Sequence, residues 1–212
     1  MPRPKGSKNQ SYAAKREEIL SRLWPRLEES GAMHASLREL AASASVGLAT
    51  LKHYFGRRED VIAAALQKKK EDGREVISEL ATPTGSFQQS INDALEHICA
   101  GFKYGGVGEI VSVGFVEGLR HPTLGPTVVE ATLEPIIEAA TSRLRTHQQR
   151  GEMAEDVDAR IAAIALVSPV LLAFVHQNEL GGSGCYPLSI EKLIEQHCAA
   201  FVRAYQASGK DQ

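Results

Sequence analysis

The stretch SLRELAASASVGLATLKHYF, residues 36–55, decides how the chain folds. Ser36 is followed three residues later by Glu39, the spacing at which each side chain satisfies the other's unpaired backbone N–H at a helix start. Leu37, Leu40, Ala41 and Ala44 then complete one apolar face before Ser45, Val46 and Gly47 break the pattern. A second short helix follows from about Leu48 to Tyr54, with Leu51 and Phe55 on its inner side. Two short helices joined by a tight turn, with one helix before and another after, are the arrangement of a helix-turn-helix reader of DNA, and a helical hairpin in any bundle shows the same periodicity.

Working outward, Ile19, Leu23 and Leu27 recur every fourth residue beside Leu20 and Trp24, which predicts a helix from about Ala13 to Gly31. Pro25 falls inside it, where a missing N–H costs ~3 kcal/mol, so a kink is expected near Ser21. Downstream, one long helix is expected from Arg57 to about Leu80. Beyond the breaker Thr82-Pro-Thr-Gly85 the pattern predicts helices over 87–103, 107–119, 123–150, 157–178 and 188–206. No strand-like alternation interrupts them, so the fold class is all-α: a three-helix DNA-binding domain plus a larger helical domain. The expected divisions are a flexible basic arm at 1–12, a helix-turn-helix domain at 13–58, a connecting helix at 59–80, a larger helical domain at 81–207, to which the resemblance described below assigns ligand binding and dimerisation, and a disordered tail at 208–212.

Charge follows the same division. The 212-residue chain has a net charge of −2. Residues 1–58 hold eleven Lys and Arg against five Glu, a balance of +6, which leaves −8 for the rest. Positive potential is thus concentrated at the end that carries the two short helices, as contact with phosphates requires.

Residues 36–61 resemble the N-terminal signature of TetR-family regulators, T-x-x-x-I-A-x-x-A-G-V-S-x-G-T-L-Y-x-x-F-x-x-K-x-x-L. The matches are Ser36, Leu40, Ala41, Ala44, Val46, Thr50, Leu51, Phe55 and, with Lys exchanged for Arg, Arg58; Gly31 matches an upstream glycine. Ser45, Ala49 and Lys52 depart from the usual Gly, Gly and Tyr, so Ser45 has to tolerate the turn conformation itself. The resemblance implies a dimeric regulator, expected to be a repressor, that binds a palindromic double-stranded operator and is released by a small-molecule effector. Gly47, Leu48, Ala49 and Thr50 then lie nearest the bases, and Arg38 is placed to read a guanine. Ser36, Lys52, His53, Tyr54 and Arg58 would hold phosphates and fix register. The arm from Arg3 to Lys8 is expected either along the DNA or in solvent.

The last two long helices are strongly apolar, and a helix apolar on all sides has to be covered on all sides. They are therefore expected to form a four-helix dimer interface, as the resemblance also implies, through Leu166, Val170, Phe174, Ile190, Leu193, Ile194 and Phe201. For the effector site, Phe102, Phe115, Glu117, His121, Phe174, His176 and Gln177 mix aromatic bulk with polar groups, which suits an apolar or aromatic molecule. Tyr104 adds to that set.

No cofactor, metal site or catalytic residue is expected. The glycine clusters fit neither G-x-G-x-x-G nor a P-loop, and H-E-x-x-H and G-x-S-x-G are missing. Glu117 and His121, four residues apart, could pose as the acid–base pair of an all-helical enzyme. A metal or redox sensor would have to use the sparse His97, Cys99, His197 and Cys198; Cys99, Cys185 and Cys198 read as buried thiols. The N-terminus has no apolar signal segment, and the apolar run from Ile161 to Val175 falls short of the ~20 residues a membrane span needs. A cytoplasmic location without membrane contact is the resulting expectation.

Overall fold

Ser36 and Glu39 do cap each other. The Ser36 N–H donates to Glu39 Oε2 at 2.7 Å and the Glu39 N–H to Ser36 Oγ at 3.3 Å. The helix they start ends after seven residues, and the turn that follows is made by two reversed bonds. The Ser45 N–H reaches the Ala42 carbonyl at 2.9 Å, and the Val46 N–H reaches that of Ala41 at 3.0 Å. This is the Schellman closure, which demands a left-handed residue, usually glycine. Ser45 fills that position at φ = 56° and is the sole non-glycine residue with positive φ among those described.

The computed structural model describes residues 7–29 and 35–207. Gly31, residues 1–6 of the expected arm and the tail from residue 208 lie outside them. The helices are α1 (Ser7–Glu28), α2 (Leu37–Ser43), α3 (Leu48–Phe55), α4 (Arg58–Asp72), α5 (Arg74–Ala81), α6 (Phe87–Tyr104), α7 (Val107–Arg120), α8 (Gly125–Val128), α9 (Glu134–Gln149), α10 (Ala159–Phe174) and α11 (Ile190–Tyr205). Wide π-type turns follow α8 (Val129–Leu133) and α10 (Val175–Glu179). No strand occurs among the described residues beyond an isolated antiparallel bridge between Met153 and Gln206.

Several boundaries differ from expectation, each for a local reason. α1 begins at Ser7, within the stretch expected to be an arm, and runs on through Pro25. The expected 57–80 helix is two helices, because Gly73 adopts φ −83°, ψ 2° and caps α5. Glycine is the residue that a helix interior tolerates at a cost of about 1 kcal/mol, and this one marks a break. The expected 123–150 helix is also divided. Pro126 and Pro135 stand in the first turns of α8 and α9. Pro135 has no N–H for the carbonyl four residues back, and the wide turn Val129–Leu133 takes up the mismatch.

Two compact units result, one extending through Asp72 together with Val113–Ala131, the other comprising Gly73–Ser112 and Thr132 onward. These limits differ from the expected divisions at residues 58 and 80. In the first unit, α1 to α4 close over Ile19, Leu23, Leu40, Leu51, Ile62 and Leu66, all fully buried. In the second, α5, α6, α9, α10 and α11 surround Leu80, Ile91, Leu95, Leu144 and Leu166. The buried Arg143 guanidinium joins three of these helices. It donates to the Leu80 carbonyl at 2.7 Å, the Glu79 carbonyl at 3.3 Å, and the Ser90 carbonyl and hydroxyl at 2.9 and 2.8 Å. Two of those acceptors are the last carbonyls of α5, where a cation is favoured.

With its wide turn, α10 runs from Ala159 to Glu179, 21 residues, and by length and composition alone could cross a membrane, further than the apolar run suggested. Ala162, Ala163, Leu166, Val167, Val170 and Phe174 are packed inside the unit. Of the three thiols, Cys99 and Cys198 are buried as expected, whereas Cys185 is exposed. Burial pushes the Cys99 thiol up to about 11 and also raises that of Cys198.

Two measurements test this local account. Ser45→Gly removes the left-handed strain of a β-carbon and is expected to stabilise the chain by about 1 kcal/mol, read as a higher urea midpoint; an unchanged or lower midpoint contradicts it. At pH 8, iodoacetamide is expected to label Cys185 alone, since a thiol near 11 is thiolate to roughly one part in a thousand. Peptide mass spectrometry should find Cys99 and Cys198 modified only after unfolding.

Candidate nucleic-acid interface

α3 has two distinct sides. Leu51 and Phe55 are buried against the other helices of the unit, while Ala49, Thr50, Lys52 and His53 are exposed and Leu48 and Tyr54 half-buried. Gly47 caps the helix in an extended conformation without a side-chain bond, so the first turn of α3 is lined by small groups. Ser36 and Arg38, at the start of α2, are also exposed. The outward positions of α3 therefore form a surface of short side chains flanked by a lysine and a histidine, able to approach a polyanion closely.

An aromatic cluster that sequence reasoning missed fixes the far end of this helix. Tyr12 of α1 stacks on Tyr54 with ring centroids 4.7 Å apart, and His53 meets Tyr54 edge-on at 5.4 Å. The Tyr12 hydroxyl also lies 3.5 Å from the Tyr54 carbonyl oxygen. Arg16 covers the Phe55 ring at 4.8 Å. The one signal for this was an isolated tyrosine in an otherwise polar stretch.

Arg58 departs from its expected role. Its Nη1 and Nη2 donate to the two Glu117 carboxylate oxygens at 2.8 and 2.6 Å, and its Nε donates to the Ala35 carbonyl at 2.7 Å. Only 17% of the Arg58 side chain and 3% of that of Glu117 remain exposed. Such a forked pair, removed from water, is among the strongest charge-assisted contacts available. The carboxylate hydrogen bonds hold the Arg58 pKa above even the usual guanidinium value. A guanidinium so occupied does not face a phosphate; the neighbouring Arg57 is the exposed cation, with Asp60 3.5 Å from its Nε. The Asp60 carboxylate also accepts the Arg57 N–H, which holds its pKa below the usual range.

The residues expected around an effector fall into two groups. Glu117, Phe115 and His121 belong to the first unit, where His121 Nε2 is 3.9 Å from Glu117. Phe102, Phe174, His176 and Gln177 belong to the second. There Phe102 and Phe174 are buried and stacked on each other at 4.6 Å, with planes 9° apart. Gln177 is also buried: its amide donates to the Tyr186 carbonyl at 3.0 Å and contacts His176 Nδ1, and its oxygen accepts the Leu188 N–H at 2.9 Å. These side chains hold their own unit together. The second unit has an open cleft of about 630 Å³ between α6 and α11, floored by Cys99, Ile194 and Cys198 and rimmed by Glu96, Lys103 and Glu191.

The expected interface residues also need correction. Leu166, Val170, Phe174, Ile194 and Phe201 are buried inside their own chain, and Ile190 and Leu193 are half-buried. Besides Arg160, the residues that α10 leaves uncovered are Ile161, Ile164, Ser168 and Leu172, with Ile161 and Leu172 about two-thirds exposed at 65% and 68%. Because α10 is apolar all round, its sequence could not show which stripe faces inward. Among the described residues, no group of three or more His, Cys, Asp or Glu could hold a metal ion.

No family model and no curated protein matches the sequence. The fold does match solved structures. A protein of Mesorhizobium loti assigned to the TetR family of transcriptional regulators superposes with a TM-score of 0.74 at 18% identity, over 92% of this chain and 98% of that one. A TetR transcription regulator of Haloarcula marismortui gives 0.69 at 14% identity, over 92% and 99%. The flavonoid-responsive regulator FrrA gives 0.67 at 21% identity, over 92% and 98%. The two short helices with their Schellman turn, and the helical units that follow, thus make up the fold of TetR-family transcriptional regulators.

Proposed function

We propose that the chain is a dimeric, ligand-responsive transcriptional regulator, acting as a cytoplasmic repressor, that reads a palindromic operator with α2 and α3. One observation carries this reading: α3 buries Leu51 and Phe55 and turns Ala49, Thr50, Lys52 and His53 outward from a tightly closed turn. In this reading Arg38 and Thr50 contact base edges, Gly47, Leu48 and Ala49 allow close approach, and Ser36, Lys52, His53 and Tyr54 hold phosphates. The fold shared with regulators, one of them named as responsive to flavonoids, supports a small apolar or aromatic effector. Effector binding would favour a conformation in which the paired readers no longer match successive major grooves.

A half-site offers one helix too few contacts for selectivity, so a second copy is needed. The uncovered stripe Ile161, Ile164, Ser168 and Leu172 of α10 is the face proposed to meet its counterpart. Binding is favoured over catalysis, since Glu117, the carboxylate of the acid–base pair singled out in the sequence, is held by Arg58.

Operator binding is tested by selecting duplexes from the DNA flanking the chain's own gene and measuring affinity against salt. Lys52→Ala is expected to lower the slope of log K against log salt by about one. Arg38→Ala should relax sequence preference at a cost of ~1–3 kcal/mol; preference equal to wild type would remove Arg38 from the readout, and wild-type indifference to DNA at low salt would end the proposal. For the dimer, Ile164→Glu combined with Leu172→Glu is expected to give a folded monomer in sedimentation velocity. A dimer that survives both charges would place the interface elsewhere.

A further inference from the structure

We propose that Arg58 is a positioning residue of the reader: through its bonds to Ala35 and Glu117 it ties the start of α2 to the last turn of α7 and so sets the geometry of the DNA-facing surface. The inference rests on the DNA-reading function proposed above and names the side chain that holds that site in place.

The geometry is specific. Ala35, whose carbonyl accepts Arg58 Nε at 2.7 Å, is 1% exposed and immediately precedes the capping Ser36. The position of that carbonyl sets how the chain enters α2, and the second residue of α2 is Arg38. From the same guanidinium, two further bonds of 2.8 and 2.6 Å reach Glu117, which lies in the last turn of α7. Residues 113–120 of α7, Glu117 included, belong to the same unit as α2 and α4. α7 is also held closely at its end: a β-carbon built at Gly118 would come within 3.0 Å of Val128 in α8.

A forked ion pair taken out of water does not weaken gradually. Either both bonds are made, or each partner is left desolvated without its counter-charge, which is far less favourable. The tie therefore either holds the entry of α2 in place or releases it. No other acid bonds the Arg58 guanidinium among the described contacts; Glu59 acts on it only through its charge. His121, 3.9 Å from Glu117, is the one other basic group facing the carboxylate in those contacts. Arg58 therefore acts on DNA affinity through Ala35 and α2, whereas Lys52 acts on phosphates directly.

The test uses the full-length chain, a duplex selected by the wild-type protein, and the variants Arg58→Ala, Glu117→Gln, the two combined, and the reversed pair Arg58→Glu with Glu117→Arg. Affinity is measured across salt concentrations, and hydrogen exchange is followed at the Leu40 amide, which bonds the Ser36 carbonyl at 3.0 Å. Each single variant is expected to lose on the order of tenfold in affinity, with the wild-type salt slope and faster exchange at Leu40. The combined variant should lose no more than either one, and the reversed pair should regain affinity and slow exchange. Should a single variant fail to fold, the reversed pair decides: recovery supports the tie and further loss overturns it. A salt slope lowered by about one in Arg58→Ala, with Glu117→Gln behaving as wild type, would make Arg58 a phosphate contact and overturn the proposal, as would additive losses. If the wild-type chain selects no duplex, the DNA reading fails separately, and Leu40 exchange alone decides: faster in both variants upholds the tie, unchanged overturns it.

Discussion

The bidentate contact between Arg58 and Glu117 is the constraint around which the first unit is organised. Each group, removed from water on its own, would carry a penalty of several kcal/mol, so neither is stable in its place without the other. The partners are 59 residues apart in sequence, and their pairing binds the C-terminal part of α7 to the helix-turn-helix. This is why the compact unit that presents α3 contains residues 113–131, although the sequence gives that segment no basic or helix-turn-helix character. The third bond of the guanidinium, to Ala35, then extends the constraint to the entry of α2.

The parts of this structure that could be read from sequence are those encoded within a few residues. The capping box of Ser36 and Glu39, the turn at Ser45, and the inward faces of α1, α2 and α3 all rest on i to i+3 or i+4 relations and are found where the spacing puts them. Helix interruptions were less accessible, because Gly73, Pro126 and Pro135 each allow a helix to continue or to restart, and packing chooses. The role of Arg58 was not readable at all. A basic residue after a short amphipathic helix looks the same whether it faces a phosphate or a distant carboxylate, and only the fold brings Glu117 to it.

A related ambiguity affects the second unit. α10 has hydrophobic residues on every side, so composition announces that it must be covered without saying by what. In the folded chain, Leu166, Val170 and Phe174 face the core, and Ile161, Ile164 and Leu172 are left outward. The polar residues singled out for a ligand show the same limit: Gln177 and Glu117 looked like handles for a bound molecule, and both turn out to be engaged by the protein's own groups. Mixed aromatic and polar composition identifies a buried joint as readily as a binding site.

Arg143 is a charge kept in the interior whose hydrogen bonds go to no carboxylate; Asp93 acts on it only through its charge. Burial lowers its pKa from the usual guanidinium value, yet that value begins so high that the side chain stays cationic. Its acceptors are peptide oxygens and a serine hydroxyl, none of which titrates across the range a cell experiences. The junction of α5, α6 and α9 therefore keeps the same bonding through acidification, and ions in the medium, excluded from it, have little to screen. The second unit is thus joined at a point where every hydrogen-bond acceptor is a group that does not titrate near neutrality.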